Sequence, residues 1–416
     1  MMKTRHFFLL LAGLLAAACS EGDGESDEIF SSTDMSGETY SMADGVPGEG
    51  GGDMPGDDSS QGGNTMAGVV TAGEWNDLDH WAFWSRLMLQ GDYADKSDYW
   101  QMFTNQRVAV AVADASGQPV AGVRVKLMRT GNKKALWESV TDNHGRAECW
   151  LNTWQKSNSV DASQLRIALD DRQMEEAPIV CGWDSLGQLS QPLVNHYVCE
   201  RAANTVKAQA DIAFVVDATG SMGDEINFLK SDLLDIIGKA AARRPEQTIR
   251  TAALFYRDEG DDYLTRHSDF TTSAEKTTEF VSKQRAEGGG DYPEAVHTAL
   301  ERMLQDLSWS DQARTRLVFL VLDAPAHHEQ SVISSLQKSI AACARQGIKV
   351  IPVAASGVDK NTEFMSRFFA TLTGGTYVFL TNDSGVGGNH IEATVGDYDV
   401  EQLNELIIRL IDYYTE

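Results

Sequence analysis

The sequence predicts an α/β fold, a doubly wound and mostly parallel sheet, preceded by an antiparallel β-sandwich. Two observations support this prediction. Between residues 105 and 200, short runs of alternating apolar residues are separated by turns that contain glycine, which is typical of antiparallel sheets. From residue 205 to residue 416, solid apolar runs alternate with amphipathic helical patterns, as in parallel sheets covered by helices. A chain of 416 residues can bury more than one core.

Residues 1–19 have the pattern of an export signal. Lys3 and Arg5 precede an apolar run and a row of small residues that ends at Cys19. The apolar run is too short to span a bilayer. The Ala-Ala-Ala-Cys sequence resembles the bacterial lipobox, in which the cysteine becomes the lipidated first residue of the mature protein. We therefore expect a chain held in the bacterial cell envelope by lipid at Cys19; the alternative is ordinary cleavage near Ala18 and secretion.

Residues 20–73 are predicted to form a disordered acidic tether. They are rich in Gly, Ser, Asp and Glu and contain no Lys or Arg, so they cannot bury enough apolar surface to offset the entropy of ordering. Glu21, Asp23 and Glu25 resemble the export signals of some surface-exposed lipoproteins, which favours the outer membrane or cell surface over the inner membrane. The alternative is a solvated linker without a targeting role.

Residues 74–104 form an aromatic segment with helical spacing, carried by Leu78, Trp81, Trp84 and Met88. We expect a helix that packs its indoles onto a neighbouring domain. The alternative function for these aromatic rings is a platform for stacking carbohydrate.

Residues 105–200 are predicted to be the β-sandwich. The stretches 112–123 and 141–145 resemble the carboxypeptidase regulatory-like sandwich, a family that implies a scaffold without catalytic residues. Because Cys181 and Cys199 flank one loop, a disulfide between them is expected outside the cytoplasm. Cys149 and Cys343 are expected to be buried thiols. No C-x-x-C motif or Cys/His cluster indicates zinc or redox chemistry.

Residues 205–416 carry the α/β pattern. Its apolar runs predict strands at 212–216, 251–256, 317–322, 350–354 and 377–380. The amphipathic patterns predict helices at 225–242, 294–304, 331–345, 362–372 and 400–413. In such sheets ligands bind beyond the carboxyl ends of the strands.

Three segments place oxygen ligands near those ends. They are Asp217-Ala218-Thr219-Gly220-Ser221 after the first strand, Gly288-Gly289-Gly290-Asp291 before a helix, and Asp323 after the third strand. Oxygen ligands suit magnesium, calcium or manganese. Together the segments resemble the von Willebrand factor A domain and its metal-ion-dependent adhesion site, over about half of the chain.

The resemblance implies a metal site with five ligands: Asp217, Thr219, Ser221, Asp291 and Asp323. Mg²⁺, or Ca²⁺ or Mn²⁺, would keep one coordination position open for a carboxylate of a partner protein. Asp291 stands where the family has a neutral threonine, so three negative charges face the ion. We expect firmer cation binding and weaker attraction of an acidic ligand.

Glu294 is interpreted as a residue of the first helical turn, where an acid suits the helix dipole. The acidic loop at 257–262 is interpreted as solvated, with a second calcium site as the alternative. His390, in a late glycine-rich loop, is given no role.

The leading hypothesis is a non-enzymatic module for metal-dependent adhesion or assembly. A net charge of −26 argues against nucleic acid as a partner. No G-x-S-x-G, P-loop or H-E-x-x-H motif occurs. One alternative is a metal-dependent hydrolase with His327 or His328 as general base. The other is a structural envelope component with an empty metal site.

Overall fold

The computed structural model describes residues 67–89, 91–104, 106–157, 161–181, 194–203, 208–224, 226–243, 245–384 and 391–416. The predicted signal peptide, Cys19, most of the predicted tether and His390 lie outside the described residues. Within the described ranges, no helix has both the length and the apolar character needed to cross a membrane.

The secondary structure is given in chain order. The described strands are β1 (Thr71–Trp75), β2 (Arg107–Ala113), β3 (Arg124–Arg129), β4 (Ala135–Val140), β5 (Arg146–Trp150), β6 (Leu165–Leu169), β7 (Arg172–Gln173), β8 (Val194–Val198), β9 (Gln209–Asp217), β10 (Thr248–Tyr256), β11 (Thr265–Thr271), β12 (Thr315–Leu322), β13 (Ile348–Ala354), β14 (Tyr377–Leu380) and β15 (Glu401–Gln402). The described helices are α1 (Trp81–Leu89), α2 (Gly91–Trp100), α3 (Ile226–Arg243), α4 (Ala274–Ser282), α5 (Val296–Asp306), α6 (Gln330–Gln346), α7 (Lys360–Thr373) and α8 (Leu403–Thr415).

The predicted doubly wound sheet is confirmed. Eight strands lie in the order β11-β10-β9-β12-β13-β14-β1-β15. The five strands from β10 to β14 in this order run parallel, whereas β11 and β1 are antiparallel to their neighbours. The chain leaves β9 toward β10 and later returns to β12 on the other side, so the strand order switches between β9 and β12. Such a switch point opens a crevice at the carboxyl ends of the strands.

Helices cover both faces of this sheet. Every residue of β9 and β12 is buried, which explains their solid apolar sequences. Alternate side chains of β9 pack on one side with residues of α5, α6 and α7, and on the other side with residues of α3 and α8. The helix α7 is capped at its start by Asp359, whose side chain accepts hydrogen bonds from the first-turn amides, and at its end by Gly374 in the left-handed conformation.

Order in the N-terminal part begins earlier than predicted. The tether was expected to run to residue 73, but β1 pairs Ala72 with Leu380 and Gly73 with Phe379 of β14. Ala72 is fully buried, and a Cβ on Gly73 would lie 2.7 Å from the ring of Phe379. This close packing explains why β1 has small residues at Ala72 and Gly73, although in the sequence such residues resemble part of a linker. The predicted helix that buries its indoles is confirmed in α1, where Trp84 stacks on Phe364 of α7.

The region between α2 and β9 forms two small sheets, β5-β2-β8 and β4-β3-β6-β7. Their described pairs are antiparallel except β2 with β8, which is parallel and differs from the prediction. The predicted disulfide of Cys181 with Cys199 is wrong, because Cys199 is a free thiol whose Sγ lies 3.4 Å from the carbonyl oxygen of Arg201. Cys149 and Cys343 are buried thiols as predicted, and burial raises the pKa of each to about 12.

Candidate metal centre

Three loops meet at the carboxyl edge of the sheet, and they are the three segments that the sequence predicted. The loop after β9 contacts the glycine loop, because the amide of Gly220 donates to the carbonyl oxygen of Gly288 at 3.0 Å. The amide of Glu294, just before α5, donates to the carbonyl oxygen of Pro325 in the loop after β12 at 2.9 Å. The backbone thus holds the segments of Asp217, Asp291 and Asp323 at one edge.

The glycine loop needs glycine for steric reasons. Gly288 has a φ of +83°, and a Cβ there would lie about 2.4 Å from the carboxylate of Asp261. The same carboxylate accepts hydrogen bonds from the amide of Gly289 at 2.9 and 3.1 Å. The acidic loop after β10 is therefore fastened to the glycine loop before α5.

Asp217 is the last residue of β9 and organises the loop that follows. Its Oδ1 accepts hydrogen bonds from the amide of Thr219 at 2.9 Å and from the Thr219 hydroxyl at 2.7 Å. The hydroxyl oxygens of Thr219 and Ser221 are 3.2 Å apart. Asp217 and Thr219 are fully buried, whereas Ser221 is exposed. The three predicted ligands of the first segment therefore form a row that leads from the interior to solvent.

The carboxyl of Asp217 is buried beside a second carboxyl at this edge. Burial, and then the negative charge of Asp323, raise the pKa of Asp217 to about 7. Asp323 follows β12 directly and is 3% exposed. The buried hydroxyl of Tyr256 lies against the Asp217 carboxyl and lowers its pKa, but Oδ2 of Asp217 makes no hydrogen bond of ordinary geometry with the described residues. A divalent cation would supply positive charge beside the two carboxyls and a contact for this oxygen, so these residues fit the metal that the resemblance implies.

The interpretation of Glu294 as a first-turn residue is wrong. The helix α5 begins at Val296, and Glu294 lies before its N-cap, only 2% exposed. A Cβ on Gly289 would be 3.3 Å from both Oε1 of Glu294 and Cβ of Thr219, so this carboxylate faces the first segment. Burial, and then the charges of Asp217 and Asp258, raise its pKa to about 9.

Asp258 and His327 form a second cluster with Asp291. The acidic loop at 257–262 was expected to be solvated, but Asp258 is 4% exposed and its Oδ1 lies 2.8 Å from Nε2 of His327. One ligand atom from each of Asp258, Asp291 and His327 lies within 4.8 Å of the others. Asp258 follows the end of β10 by two residues. Ligands bind beyond the carboxyl ends of such strands, so the end of β10 also marks Asp258 as a candidate ligand in the sequence.

His328 has a packing role. Its ring stacks on Tyr99 of α2 with the ring centroids 3.5 Å apart, and its Nε2 lies 2.8 Å from the Tyr99 carbonyl oxygen. The two neighbouring histidines therefore differ: His327 lies against Asp258, and His328 lies against the N-terminal helices.

Comparison with known proteins identifies the α/β part of the chain. Residues 211–390 match the model of the von Willebrand factor A domain family. A protein named ariadne-like RING finger protein R811, from Acanthamoeba polyphaga mimivirus, is 32% identical over 134 residues, which are 32% of this chain and 13% of that protein. The alpha-protein kinase vwkA of Dictyostelium discoideum is 33% identical over 119 residues, 28% of this chain and 19% of that protein. The chain thus spans less than a fifth of each relative's length.

Among solved structures, the conserved hypothetical protein BatB from Bacteroides thetaiotaomicron matches 49% of this chain and 98% of its own chain, with 12% identity and a TM-score of 0.34. The predicted von Willebrand factor A domain is confirmed by the family match. The five-ligand metal site and the resemblance of residues 105–200 to a carboxypeptidase regulatory-like sandwich stay predictions.

Proposed function

We propose that the von Willebrand factor A domain of this chain, matched over residues 211–390, binds a divalent cation and uses it to hold a protein partner. Domains of this family generally mediate protein interactions or adhesion. The residues that would hold the cation are Asp217, Thr219, Ser221 and Asp323. Bound there, the cation would offer an open coordination position to an oxygen atom of the partner.

The observation that carries the proposal is the buried Oδ2 of Asp217, which makes no hydrogen bond of ordinary geometry with the described residues. A buried carboxylate oxygen without a donor or a cation costs free energy. Asp323 adds a second carboxylate at the end of the adjacent strand, and its charge works against ionisation of Asp217. Two neighbouring carboxylates and two hydroxyls form an all-oxygen donor set, which suits Mg²⁺ and also Ca²⁺ or Mn²⁺.

The surroundings of these residues support a docking surface. Ser221, Asp291 and Tyr292 are exposed beside the buried carboxylates. The hydroxyl of Tyr292 lies 3.3 Å from the carbonyl oxygen of Asp323 and accepts a hydrogen bond from the amide of Asp359 at 2.9 Å. Because Tyr292 is fixed by both neighbours, a partner would meet a rigid aromatic contact next to the cation.

We propose a binding role rather than a hydrolytic one, and an envelope location. His328 is engaged by Tyr99, which leaves only His327 of the two predicted base candidates near the carboxylates.

The proposed anchor is lipid on Cys19, and the acidic chain that follows it would display the domain at the outer membrane or cell surface. Protein, rather than nucleic acid, is the proposed partner because the chain carries a net charge of −26.

Calorimetric titration of the full, chelator-stripped chain with Mg²⁺ tests the cation site. Wild type should bind, and Asp217→Asn should lose at least tenfold in affinity, because it removes one buried charge that faces the ion. Asp262→Asn is the matched control, since Asp262 is an exposed acid in the nearby loop. Equal affinities for wild type and Asp217→Asn would disprove the proposed site.

Partner binding is tested with the same variants. The immobilised chain is incubated with envelope extract in Mg²⁺ and then washed with chelator. The proposal expects a protein that elutes with chelator, that Asp217→Asn does not retain and that Asp262→Asn retains. Retention that is indifferent to both chelator and Asp217→Asn would instead favour a structural component with an unused metal site.

A further inference from the structure

Three side chains from three separate loops converge over the end of β9. Asp258 follows β10, His327 follows β12, and Asp291 lies in the glycine loop before α5. Because β10 and β12 lie on either side of β9, the contact between Asp258 and His327 passes over the carboxyl end of that strand. The sheet topology itself therefore brings these side chains together.

We propose that Asp258, Asp291 and His327 form a second divalent-cation site, which takes a first-row transition cation such as Mn²⁺ in preference to Mg²⁺. The site is separate from the one at Asp217 and does not depend on a cation being bound there. It assigns Asp291 to a different ion from the one that the family resemblance implies.

The distances support coordination of a single ion. Nε2 of His327 and Oδ1 of Asp258 are 2.8 Å apart, and one ligand atom from each of the three residues lies within 4.8 Å of the others. Ligands of one transition ion, each bound at about 2.1 Å, lie about 3 to 4 Å from each other. Asp291 is exposed, so it is the member of the cluster whose side chain has room to adjust to an ion.

A buried carboxylate beside the cluster is the second observation. Glu294 is 2% exposed, and its Oε2 has no hydrogen-bond partner among the described residues. Its backbone forms a parallel bridge with Ala326, the residue before His327. The charges of Asp217 and then of Asp258 act on the Glu294 carboxyl, so this carboxyl lies between the first site and the cluster. A cation at Asp258, Asp291 and His327 would offset part of the negative charge that these carboxyls place together.

The donor set determines the preference for the cation. Mg²⁺ favours oxygen ligands in octahedral geometry and keeps several water molecules. An imidazole nitrogen with two carboxylates suits Mn²⁺ and the later first-row ions. The Asp217 segment, in contrast, offers only oxygen atoms. The Asp217 site should therefore prefer Mg²⁺, and the site at Asp258, Asp291 and His327 should prefer Mn²⁺.

The test is a titration of the full, chelator-stripped chain with Mn²⁺ in excess Mg²⁺, followed by electron spin resonance. Wild type should bind one Mn²⁺ that the Mg²⁺ does not displace, and spin-echo spectra should show coupling to a histidine nitrogen. His327→Gln should weaken Mn²⁺ binding at least tenfold and abolish the nitrogen coupling. His328→Gln is the matched control, because it changes the adjacent histidine outside the cluster.

Two further variants make the result decisive. Asp291→Asn changes an exposed residue that should not impair folding, and it should also weaken Mn²⁺ binding. Asp217→Asn should leave the Mn²⁺ and its nitrogen coupling intact even though it damages the first site. The inference is overturned if His327→Gln binds Mn²⁺ within twofold of wild type, or if Asp217→Asn abolishes the binding. Either result would reduce the contact of Asp258 with His327 to an ordinary hydrogen bond.

Discussion

Replacement of Arg367 by methionine should destabilise the folded chain by about 3 to 5 kcal/mol. Arg367 lies in α7 and is fully buried. Its Nε and Nη2 donate to the two carboxylate oxygens of Asp77 at 2.9 and 2.5 Å, and its Nη1 donates to the hydroxyl of Tyr93 at 3.0 Å. Asp77 precedes α1 and Tyr93 lies in α2, so this one side chain fastens the N-terminal segment to the sheet domain.

The magnitude follows from what the substitution leaves behind. Methionine preserves an apolar chain of similar length, but Asp77, 4% exposed, then keeps the indole nitrogen of Trp75, at 3.0 Å, as its one side-chain donor among the described residues. Removal of one partner from a buried ion pair costs about 3 to 5 kcal/mol because the other charge stays buried. The neighbouring Glu363 retains Lys360 at 2.8 Å, so the loss is concentrated at Asp77.

Urea unfolding of the full chain, followed by near-ultraviolet circular dichroism, measures the free energy of unfolding. The control is Arg409→Met, because Arg409 pairs with Glu74 and Glu401 but is 49% exposed; it should lose about 1 kcal/mol or less. The double variant Arg367→Met with Asp77→Leu should recover most of the stability, since neither charge then stays buried. A loss for Arg367→Met no larger than that of the control, or no recovery in the double variant, would refute the reasoning.

Two other predictions concern the site and the anchor. In the cation-free chain, raised pKa values of about 7 for Asp217 and about 9 for Glu294 mean that folding stability falls as pH rises through these values. A cation that displaces these protons should therefore bind more tightly as the pH rises from about 6 to 8, by up to about tenfold per pH unit for each proton released. Calorimetry in two buffers counts the released protons. A cation affinity that does not change with pH would contradict the prediction. Cys19→Ser should move the chain expressed in bacteria from the detergent phase to the aqueous phase in phase partitioning, and an unchanged distribution would contradict lipidation.

The central fold was predictable because buried strands have continuous apolar sequences. Strands that are covered on both faces, such as β9 and β12, must be apolar throughout, and all five predicted strands of the parallel sheet are present. The antiparallel strands β1 and β11 were missed. In β11 every residue is exposed or half-buried, and β1 fits small residues under an aromatic ring. Neither strand shows an apolar run or a regular alternation.

The site was predictable in part for a related reason. Asp217 and Asp323 each end an apolar run, so the strand pattern itself marks them. Asp258 and His327 are 69 positions apart in the chain, and no local pattern reports such a contact. Glu294 was misplaced because a proline followed by an acid is typical of a first helical turn, whereas the bridge to Ala326 delays the start of α5.

The insertion of β1 determines where tension would pass through the molecule. Because β1 runs antiparallel to β14, with Ala72 opposite Leu380, the chain enters the domain at the same edge as Asp217 and Asp323. Only β14 and β13 separate β1 from β12, a span of about 14 Å at ordinary strand spacing. The two small sheets of the region between α2 and β9 contact the opposite edge, where Asp142 pairs with Lys349 near the start of β13. A pull between the N-terminal chain and a bound partner would therefore load a short section of the large sheet and bypass the two small sheets.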